Sequence, residues 1–248
     1  MAAPEGPGVV LLVGVGGIGA ATAMRLARDG YALALADNVA ARAEQTAATL
    51  ERAGTPVLPL TVDATDEGQV EAMVAAAVER FGQLDALVTT VGGAERVAVA
   101  DMTLREWTDM LTFNLTSQFL TARAVLPTMR RQQRGSIVAV ASNLAWGKAE
   151  MAHYAAAKAG IIGFVRSLAL EVARDGIRVN AYAPGFTHTQ RIVDNTPAAV
   201  IEANARSIPM GRLGLPEEQA DGIAFLVSPT SRYVTGQVLH VNGGWLMP

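Results

Sequence analysis

The 248-residue sequence has no cysteine and very little lysine. Without cysteine the chain has no disulfide bond, no thiolate ligand for a metal ion and no cysteine nucleophile, and we predict no metal site. Of its 20 basic residues only Lys148 and Lys158 are lysines, and the rest are arginines. Because arginine is used wherever a general surface cation would serve, each lysine is a candidate for a specific chemical task.

The chain also lacks a strong excess of charge. Its formal net charge is −3, so we expect no binding to nucleic acid or to an anionic membrane surface. The uncharged stretch 9–24 is too short and too rich in glycine to span a membrane. The residues before it, Pro4 to Gly8, include no basic residue of the kind that opens a signal peptide. A cytoplasmic protein is the expectation.

Apolar segments with the length of strands alternate with amphipathic helical segments along the sequence. The strand-like segments show no regular polar alternation, which is typical of parallel strands buried on both faces. Right-handed crossovers then predict one α/β domain, residues 1–248, with a doubly wound, Rossmann-like parallel sheet of about seven strands. The predicted strands are 9–13, 32–36, 57–61, 86–90, 136–141, 179–183 and 238–241, and the predicted helices are 20–29, 40–53, 66–81, 104–131, 151–175 and 216–227.

A glycine-rich turn joins the first predicted strand to the first predicted helix. It comprises Gly14, Gly16, Gly17, Ile18 and Gly19. In this context glycines allow a tight turn and let the backbone approach a dinucleotide pyrophosphate, which binds at the helix N-terminus. The sequence therefore predicts a dinucleotide site.

An acidic residue follows about 20 residues further on, where a dinucleotide-binding unit needs one. Asp37 comes directly after the second predicted strand. A carboxylate at this place accepts a hydrogen bond from an adenosine 2′-hydroxyl and repels a 2′-phosphate. This predicts NAD as the cofactor in preference to NADP. The alternative is that Asp37 is only a surface cap.

Tyr154 and Lys158 are four residues apart in a predicted helix and therefore lie on one face of it. An ammonium group close to a phenol lowers the tyrosine pKa, which makes tyrosine usable as an acid or base near neutral pH. Ser142 ends a predicted strand, where it either bonds a substrate oxygen or caps a turn. Asn114 lies inside predicted helix 104–131 at a cost in helix propensity, as an incidental polar residue or a functional one.

These motifs, in this order, resemble those of the short-chain dehydrogenase/reductase family in its single-domain branch. The likeness extends over nearly the whole chain, from the glycine turn to the segment 233–244. It implies that Tyr154 transfers a proton at the oxygen of a secondary alcohol or ketone and that Lys158 binds the nicotinamide ribose. It also implies that Ser142 orients the carbonyl group and that Asn114 holds a water in a proton relay. The further cofactor contacts that it implies are Asp63, Ala64, Thr90, Gly92, Pro184, Gly185, Thr187 and Thr189.

Three departures from the family pattern affect loops and leave the reacting groups in place. Val13 stands where the family usually has threonine, and the glycine turn is one residue shorter. The segment 89–92 reads Thr-Thr-Val-Gly where the family has Asn-Asn-Ala-Gly. Ser142 is one residue closer to Tyr154 than is common.

The long segment 186–215 contains only a short predicted helix, 198–207. Long connections in compact domains commonly form lids, and we expect this one over the carboxyl ends of the strands, where α/β sheets bind ligands. Together with the residues beside Tyr154 and Lys158, this segment predicts a largely apolar substrate pocket with a few cations. Such a pocket suits a hydrophobic or cyclic alcohol, including one that bears a carboxylate. The candidate pocket residues are Asn143, Trp146, Lys148, Met151, Phe186, His188 and Arg191.

Two other functions remain open. A 3-oxoacyl carrier-protein or thioester reductase would need a basic docking face, and two arginines that dock carrier protein in such enzymes align with Gln133 and Asp175 here. A catalytically inactive nucleotide-binding scaffold is the third reading, and the complete set of catalytic candidates argues against it. Basic residues near the aligned positions are Arg130, Arg131, Arg134 and Arg174.

Predicted helices 104–131 and 151–175 carry apolar residues on more than one face. One domain covers one face of each helix, so we expect a second copy of the chain to cover the other face and form a first interface. Together with the family resemblance this predicts a homotetramer, whose second interface lies at residues 245–248. The apolar residues concerned are Phe119, Leu120, Val125, Leu126, Ile161, Ile162, Phe164, Val165, Leu168 and Leu170.

Overall fold

The structure, a computed structural model, describes residues 8–248. The residues Pro4 to Pro7, used above in the argument against a signal peptide, lie outside that range. Seven parallel strands form one sheet with helices on both faces, which confirms the predicted fold class. The strands are β1 (Val9–Val13), β2 (Ala32–Asp37), β3 (Val57–Thr61), β4 (Ala86–Thr89), β5 (Gly135–Val140), β6 (Ile177–Pro184) and β7 (Val238–Val241). The α-helices are α1 (Gly17–Arg28), α2 (Ala40–Arg52), α3 (Glu67–Phe81), α4 (Leu104–Leu111), α5 (Ser117–Gln132), α6 (Ala152–Val172), α7 (Gln190–Asn195), α8 (Ala198–Ser207) and α9 (Pro216–Val227).

The strand order places the carboxyl ends of β1 and β4 side by side. The order across the sheet is β3-β2-β1-β4-β5-β6-β7, so the direction of winding reverses between β1 and β4. Val13, the last residue of β1, pairs with Ala36 on one side and Thr89 on the other. The glycine turn, Asp37 and the loop after β4 therefore meet at one edge of the sheet, where open α/β sheets bind ligands.

The two faces of β1 pack against different helices. Leu11 faces a core that α3, α5 and α6 complete, whereas Leu12 faces a core made with α1, α2 and α9. Both side chains are fully buried, and burial of each contributes about 1.5–3 kcal/mol. This two-sided burial explains why the strand sequences show no polar alternation.

Predicted helix 104–131 is not one continuous α-helix. A π-helical turn, Thr112–Thr116, separates α4 from α5. Side chains in and just after this turn donate hydrogen bonds to backbone carbonyl oxygens: Asn114 Nδ2 to that of Met110 (3.1 Å), and Ser117 Oγ to that of Phe113 (2.7 Å). π-turns of this kind are frequent at functional sites.

Four further features of the elements differ from the prediction. Helix α1 begins at Gly17, inside the glycine turn, and a 3₁₀ turn, Ala173–Asp175, follows α6. The segment 186–215 contains a second helix, α7, because Thr189 caps it by accepting a hydrogen bond from the Ile192 N–H (3.4 Å). Strand β5 ends at Val140, so Ser142 begins the following 3₁₀ turn, Asn143–Trp146.

The apolar face that α5 and α6 leave for a second copy is smaller than predicted. The sheet and the neighbouring helices bury nearly all of the apolar residues concerned within one chain. Phe119 (40% exposed) and Leu170 (86% exposed) do point outward, and half-buried Phe164 packs edge-on against Phe119. The buried residues are Leu120, Val125, Leu126, Ile161, Ile162, Val165 and Leu168.

Within residues 8–248, no helix is both long enough and apolar enough to cross a membrane.

Candidate active site

The glycine turn is built by close backbone contacts at the switch point of the sheet. Gly14 has φ +93°, and its N–H donates to the Ala36 carbonyl oxygen (2.8 Å). Thr90 Oγ1 donates to the Gly14 carbonyl oxygen (2.5 Å), which joins the loops after β1 and β4. A Cβ atom at Gly19 would overlap that same carbonyl oxygen, so only glycine fits there.

The N-terminus of α1 is open to an anion. Its N-cap residue, Gly16, provides no side-chain cap, and the first turn has no acidic residue. A Cβ atom at Gly16 would meet nothing within 4 Å, whereas one at Gly17 would lie 2.9 Å from Thr189 Cγ2. Free N–H groups at a helix N-terminus bind phosphate, so this cradle, with Ile18 in the first turn of α1, fits a dinucleotide pyrophosphate.

Asp37 is buried and holds the glycine turn. Its Oδ2 atom accepts a hydrogen bond from the Val15 N–H (2.7 Å), and Oδ1 accepts one from the Val39 N–H (2.9 Å). Arg42 NH1 lies 3.4 Å from Oδ1. With only 5% of its surface exposed, Asp37 is a buried carboxylate at the end of β2. It caps backbone N–H groups, as the alternative expected, but not at the surface.

The other predicted cofactor residues lie in loops at the carboxyl ends of the strands. Asp63 Oδ1 accepts hydrogen bonds from the backbone and the hydroxyl of Thr65, and the next residue, Ala64, is buried. After Pro184, the last residue of β6, Gly185 donates to the Val241 carbonyl oxygen (2.9 Å). Thr187 Oγ1 in turn donates to the carbonyl oxygen of Gly185 (3.0 Å).

Lys158 is almost completely buried beside Tyr154. Its Nζ atom donates to the Val140 carbonyl oxygen (2.8 Å), and it lies 5.7 Å from the centroid of the Tyr154 ring. Burial lowers the pKa of Lys158 from 10.5 to about 7, because an ammonium group loses hydration in the interior. One of the two lysines of the chain thus has the perturbed pKa of a functional group.

Tyr154 interacts with Ser142 and with Arg191. Burial raises the pKa of Tyr154, while a side-chain hydrogen bond with Ser142 and the positive charge of Arg191 act in the opposite direction. The predicted lowering of this pKa by Lys158 is therefore not found: burial outweighs the opposing effects, and the lysine itself loses charge near neutral pH. Ser142 Oγ also accepts a hydrogen bond from the Leu144 N–H (3.1 Å), so this serine both caps a turn and contacts the tyrosine.

Asn114 and Lys158 meet at Gly92. A Cβ atom at Gly92 would lie 2.7 Å from Asn114 Oδ1 and 2.9 Å from Lys158 Nζ. Asn114 is fully buried and is fixed by Gly93, whose N–H donates to Oδ1 (3.2 Å) and whose carbonyl oxygen accepts from Nδ2 (3.0 Å). The π-helical turn thus brings a buried amide against the loop after β4, beside Lys158.

Among the predicted substrate residues, Arg191 is the one that reaches this loop. Its NH1 atom donates to the Gly92 carbonyl oxygen (3.3 Å). Lys148 and His188 are exposed, and Met151 is buried at the start of α6. Phe186 lines a small cavity with Met210 and Val241 at the ends of β6 and β7.

Asn143 and Trp146 contact the end of β7. Asn143 Oδ1 lies 3.3 Å from His240 Nδ1 and from Asn242 Nδ2, while its buried Nδ2 has no hydrogen-bond partner within residues 8–248. The Trp146 ring packs against His240 at a centroid distance of 5.0 Å. His240 and Asn242 are almost 100 residues from Asn143 in sequence, and no local pattern indicated them.

Sequence reasoning also missed Gly93 and the carbonyl group of Val140. Gly93 carries a usable signal, because two adjacent glycines directly after a buried strand indicate a close approach by other groups. The Val140 carbonyl group carries no such signal, because its role depends on where Lys158 lies in the folded chain.

The chain is similar in sequence and structure to known reductases and dehydrogenases. Residues 14–246 match a family model described as enoyl-(acyl carrier protein) reductase. The chain is 42% identical over 192 residues to a 3-oxoacyl-(acyl-carrier-protein) reductase of Vibrio cholerae, covering 76% of this chain and 77% of that protein. It is 41% identical over 231 residues to a cis-4-hydroxycyclohexanecarboxylate dehydrogenase of Sinomonas cyclohexanicum, covering 92% of each. Among solved structures, levodione reductase superposes with a TM-score of 0.90 at 34% identity, covering 96% of each chain.

Proposed function

The chain belongs to the short-chain dehydrogenase/reductase family of oxidoreductases, which use a nicotinamide cofactor, and we propose that it transfers a hydride between NAD and a secondary alcohol or ketone. One observation carries this proposal: Tyr154 lies near Ser142 and beside a buried lysine, at the sheet edge that also bears the glycine cradle. We further propose that residues 1–248 form one dinucleotide-binding and catalytic domain with a lid at 186–215.

In this proposal the chain's own residues handle the proton and the orientation of the substrate. A nicotinamide, when bound, accepts or supplies the hydride. The deprotonated Tyr154 oxygen takes the proton from the alcohol oxygen in oxidation, the resulting hydroxyl returns it in reduction, and Ser142 holds the substrate oxygen by a hydrogen bond. Asn114 binds a water that relays the proton onward.

Lys158 has a second task in this scheme. Its ammonium group can donate three hydrogen bonds, and the Val140 carbonyl oxygen accepts one of them. Ribose hydroxyl groups would accept further hydrogen bonds and keep the lysine charged, which favours the deprotonated form of Tyr154. This makes Lys158 both a cofactor-binding residue and a positioning residue for the acid/base.

NAD is the proposed cofactor because of Asp37. A 2′-phosphate would approach a buried carboxylate that already accepts two backbone N–H groups, whereas a 2′-hydroxyl can donate to a remaining lone pair. To neutralise a 2′-phosphate, Arg42 would have to leave Asp37, which would then remain without its cation. NADP is therefore the weaker candidate.

A cyclic secondary alcohol that bears a carboxylate is the proposed substrate class. The relative of Sinomonas cyclohexanicum acts, by its name, on a hydroxylated cyclohexanecarboxylate, and the two sequences match over 92% of each chain. The cationic Arg191 side chain near the tyrosine is consistent with such a substrate.

Reduction of a 3-oxoacyl thioester is the second candidate, since the Vibrio cholerae relative is named for that reaction. The basic surface for a carrier protein is weak here. Arg130 forms ion pairs with Asp175 (2.9 Å) and Glu171 (3.0 Å), and Arg134 forms one with Asp85 (2.8 Å). Arg130 and Arg134 are thus paired within their own chain, whereas Arg131 and Arg174 form no ion pair within residues 8–248. Docking of an acidic carrier protein is weakened rather than excluded.

We also propose a cytoplasmic homotetramer. The outward-facing Phe119 and Leu170 side chains on α5 and α6 supply an apolar patch for one two-fold interface, and Met247, 84% exposed at the chain end, supplies contacts for another. The absence of cysteine and the small net charge are consistent with this location.

A panel of alcohols and ketones assayed with NAD(H) and NADP(H) side by side tests the function. We expect turnover of cyclic hydroxy acids with NAD and much slower reduction of acyl thioesters. Preferred turnover of thioesters would favour the second candidate. Binding of the cofactor without turnover of any panel member would favour an inactive nucleotide-binding scaffold.

A further inference from the structure

Arg191 projects from the lid toward the catalytic residues. It lies in α7, directly after the lid segment that contacts the glycine turn through Thr189. Its guanidinium group reaches the loop after β4, where NH1 donates to the Gly92 carbonyl oxygen at 3.3 Å. Gly92 is also the residue against which Asn114 Oδ1 and Lys158 Nζ pack. The cation therefore lies at the same short loop as the proton-transfer groups.

The guanidinium group keeps most of its hydrogen-bonding capacity. Arginine has five N–H donors, and one long hydrogen bond to a backbone oxygen uses one of them. Within residues 8–248 no carboxylate lies within 4 Å of Arg191, whereas Arg96, in the loop after β4, is paired with Glu150 (3.4 Å). A cation in this position, without an anionic partner from its own chain, is suited to a bidentate contact with an anionic ligand.

Gly93 creates the space that the guanidinium group occupies. A Cβ atom at Gly93 would lie 3.1 Å from Arg191 NH2 and 3.1 Å from Phe113 Cε1. The Phe113 ring, 39% exposed, therefore borders the same space. An apolar ring surface next to a cation matches a molecule with an apolar body and an anionic end.

We propose that Arg191 binds a carboxylate group of the substrate and thereby sets the distance between that carboxylate and the carbon whose hydroxyl group faces Tyr154. This inference rests on the proposed function and deepens it, since it names the residue that selects the proposed substrate class. The ligand is a compact hydroxy acid or keto acid with an apolar ring or chain between its two polar ends. Phe113 contacts the apolar part.

The test compares an acid with its uncharged analogue in wild-type protein and in three variants. The probes are cis-4-hydroxycyclohexanecarboxylate and the corresponding carboxamide, each with saturating NAD. Arg191→Met removes the charge and keeps an unbranched side chain, and Arg191→Lys keeps a charge without the bidentate geometry. Arg206→Met, the control, removes an exposed arginine on α8 of the same segment.

We expect wild-type kcat/KM to favour the acid over the amide by about tenfold or more. Arg191→Met should abolish that preference by raising KM for the acid, with little change for the amide and no change in KM for NAD. Arg191→Lys should restore part of the preference, and Arg206→Met should leave it intact. Equal losses for acid and amide, or a change confined to NAD, would overturn the inference.

A binding measurement separates this inference from the proposed function. Calorimetric titration of cyclohexanecarboxylate and cyclohexanecarboxamide into the NAD complex requires no turnover. Selective binding of the carboxylate, lost in Arg191→Met, would support the Arg191 site even if no alcohol were oxidised. The missing oxidation would then contradict only the proposed function. Turnover of uncharged alcohols without any Arg191-dependent binding of carboxylate would overturn the inference and leave the proposed function standing.

Discussion

The Oδ2 atom of Asp37 accepts a hydrogen bond from the backbone N–H of Val15 at 2.7 Å. This buried contact ties the carboxyl end of β2 to a glycine turn that is one residue shorter than is usual in the family. A charged acceptor for a backbone N–H is worth about 1.5–3 kcal/mol. The carboxylate proposed to select NAD therefore also holds the cradle in which the pyrophosphate would lie.

Asp37→Ala should weaken binding of both cofactors and narrow the preference for NAD, because it removes the support of the turn together with the repulsion of a 2′-phosphate. Asp37→Asn is the comparison variant: it keeps one oxygen acceptor for the Val15 N–H but loses the charge and the acceptor for the Val39 N–H. Measurement of kcat/KM with NAD and NADP separates the two roles. A wild-type enzyme that already favours NADP would contradict the assignment of Asp37.

Asn38→Arg should move the preference toward NADP, because a guanidinium group next to Asp37 can pair with the 2′-phosphate. The expected change is about tenfold or more in the ratio of the two kcat/KM values. An unchanged ratio would mean that the adenosine ribose does not lie at the end of β2.

Gly92→Ala should lower kcat by about tenfold or more, because the added Cβ atom would push on Asn114 Oδ1 and Lys158 Nζ. Gly68→Ala in α3 is the matched control, since its Cβ atom would meet only Asp66 Oδ1 at an ordinary distance of 3.5 Å. Thermal unfolding of both variants shows whether they are folded. Full activity in folded Gly92→Ala would contradict the close meeting of the two groups at this glycine.

Lys158 should make the stability of the cofactor-free protein depend on pH. Burial lowers its pKa to about 7 in the folded state, against 10.5 for a free lysine. Between these values the unfolded chain binds the additional proton, so this group makes the folded state more stable as pH rises from 7 to 10.5. Below pH 7 the buried charge lowers the free energy of unfolding by its full amount, and above pH 10.5 this destabilisation is absent.

The variant Lys158→Met should therefore be more stable than wild type at pH 7, by about 1–3 kcal/mol, and the difference should shrink toward pH 10. Denaturant unfolding at several pH values measures this dependence. Lys148→Met serves as the control, because Lys148 is exposed and its substitution should have no comparable effect. A difference between Lys158→Met and wild type that does not change with pH would contradict the lowered pKa.

Most of the fold could be predicted from local patterns. The apolar run before Gly14 and the helical pattern after Gly19 indicate a strand, a turn and a helix without any tertiary information. Tyr154 and Lys158 could be paired because a helix fixes the geometry of residues four apart. Asp37 could be found because strand length and helix length fix its distance from the glycine turn.

Other features depend on contacts between distant segments. The π-helical turn at Asn114 is stabilised by side-chain bonds to backbone groups of Gly93 and Met110, which helical periodicity does not reveal. The pKa of Tyr154 depends on how deeply the helix is buried. Likewise, helical periodicity predicts which residues of α5 are apolar, but only the packed sheet determines that Val125 is covered and Phe119 is not.

Light scattering at micromolar concentration should give a mass close to four times the chain's 25.9 kDa. Phe119→Glu combined with Leu170→Glu should reduce the mass to a smaller assembly, because both side chains point outward on α5 and α6 and a buried charge disfavours an apolar interface. Exposed Leu104→Glu on α4 is the control and should leave the mass unchanged. A wild-type mass close to that of the monomer would contradict the proposed tetramer.

The measurement that tests the central claim most directly is turnover by Tyr154→Phe, together with NADH binding followed by fluorescence. Removal of the hydroxyl group deletes the proton donor and leaves the rest of the site in place, so we predict a loss of turnover of about a hundredfold or more with NADH affinity nearly unchanged. Tyr233→Phe, at a fully exposed tyrosine, should keep full activity. If Tyr154→Phe retained more than about a tenth of wild-type turnover, Tyr154 would not be the acid/base and the proposed mechanism would be wrong.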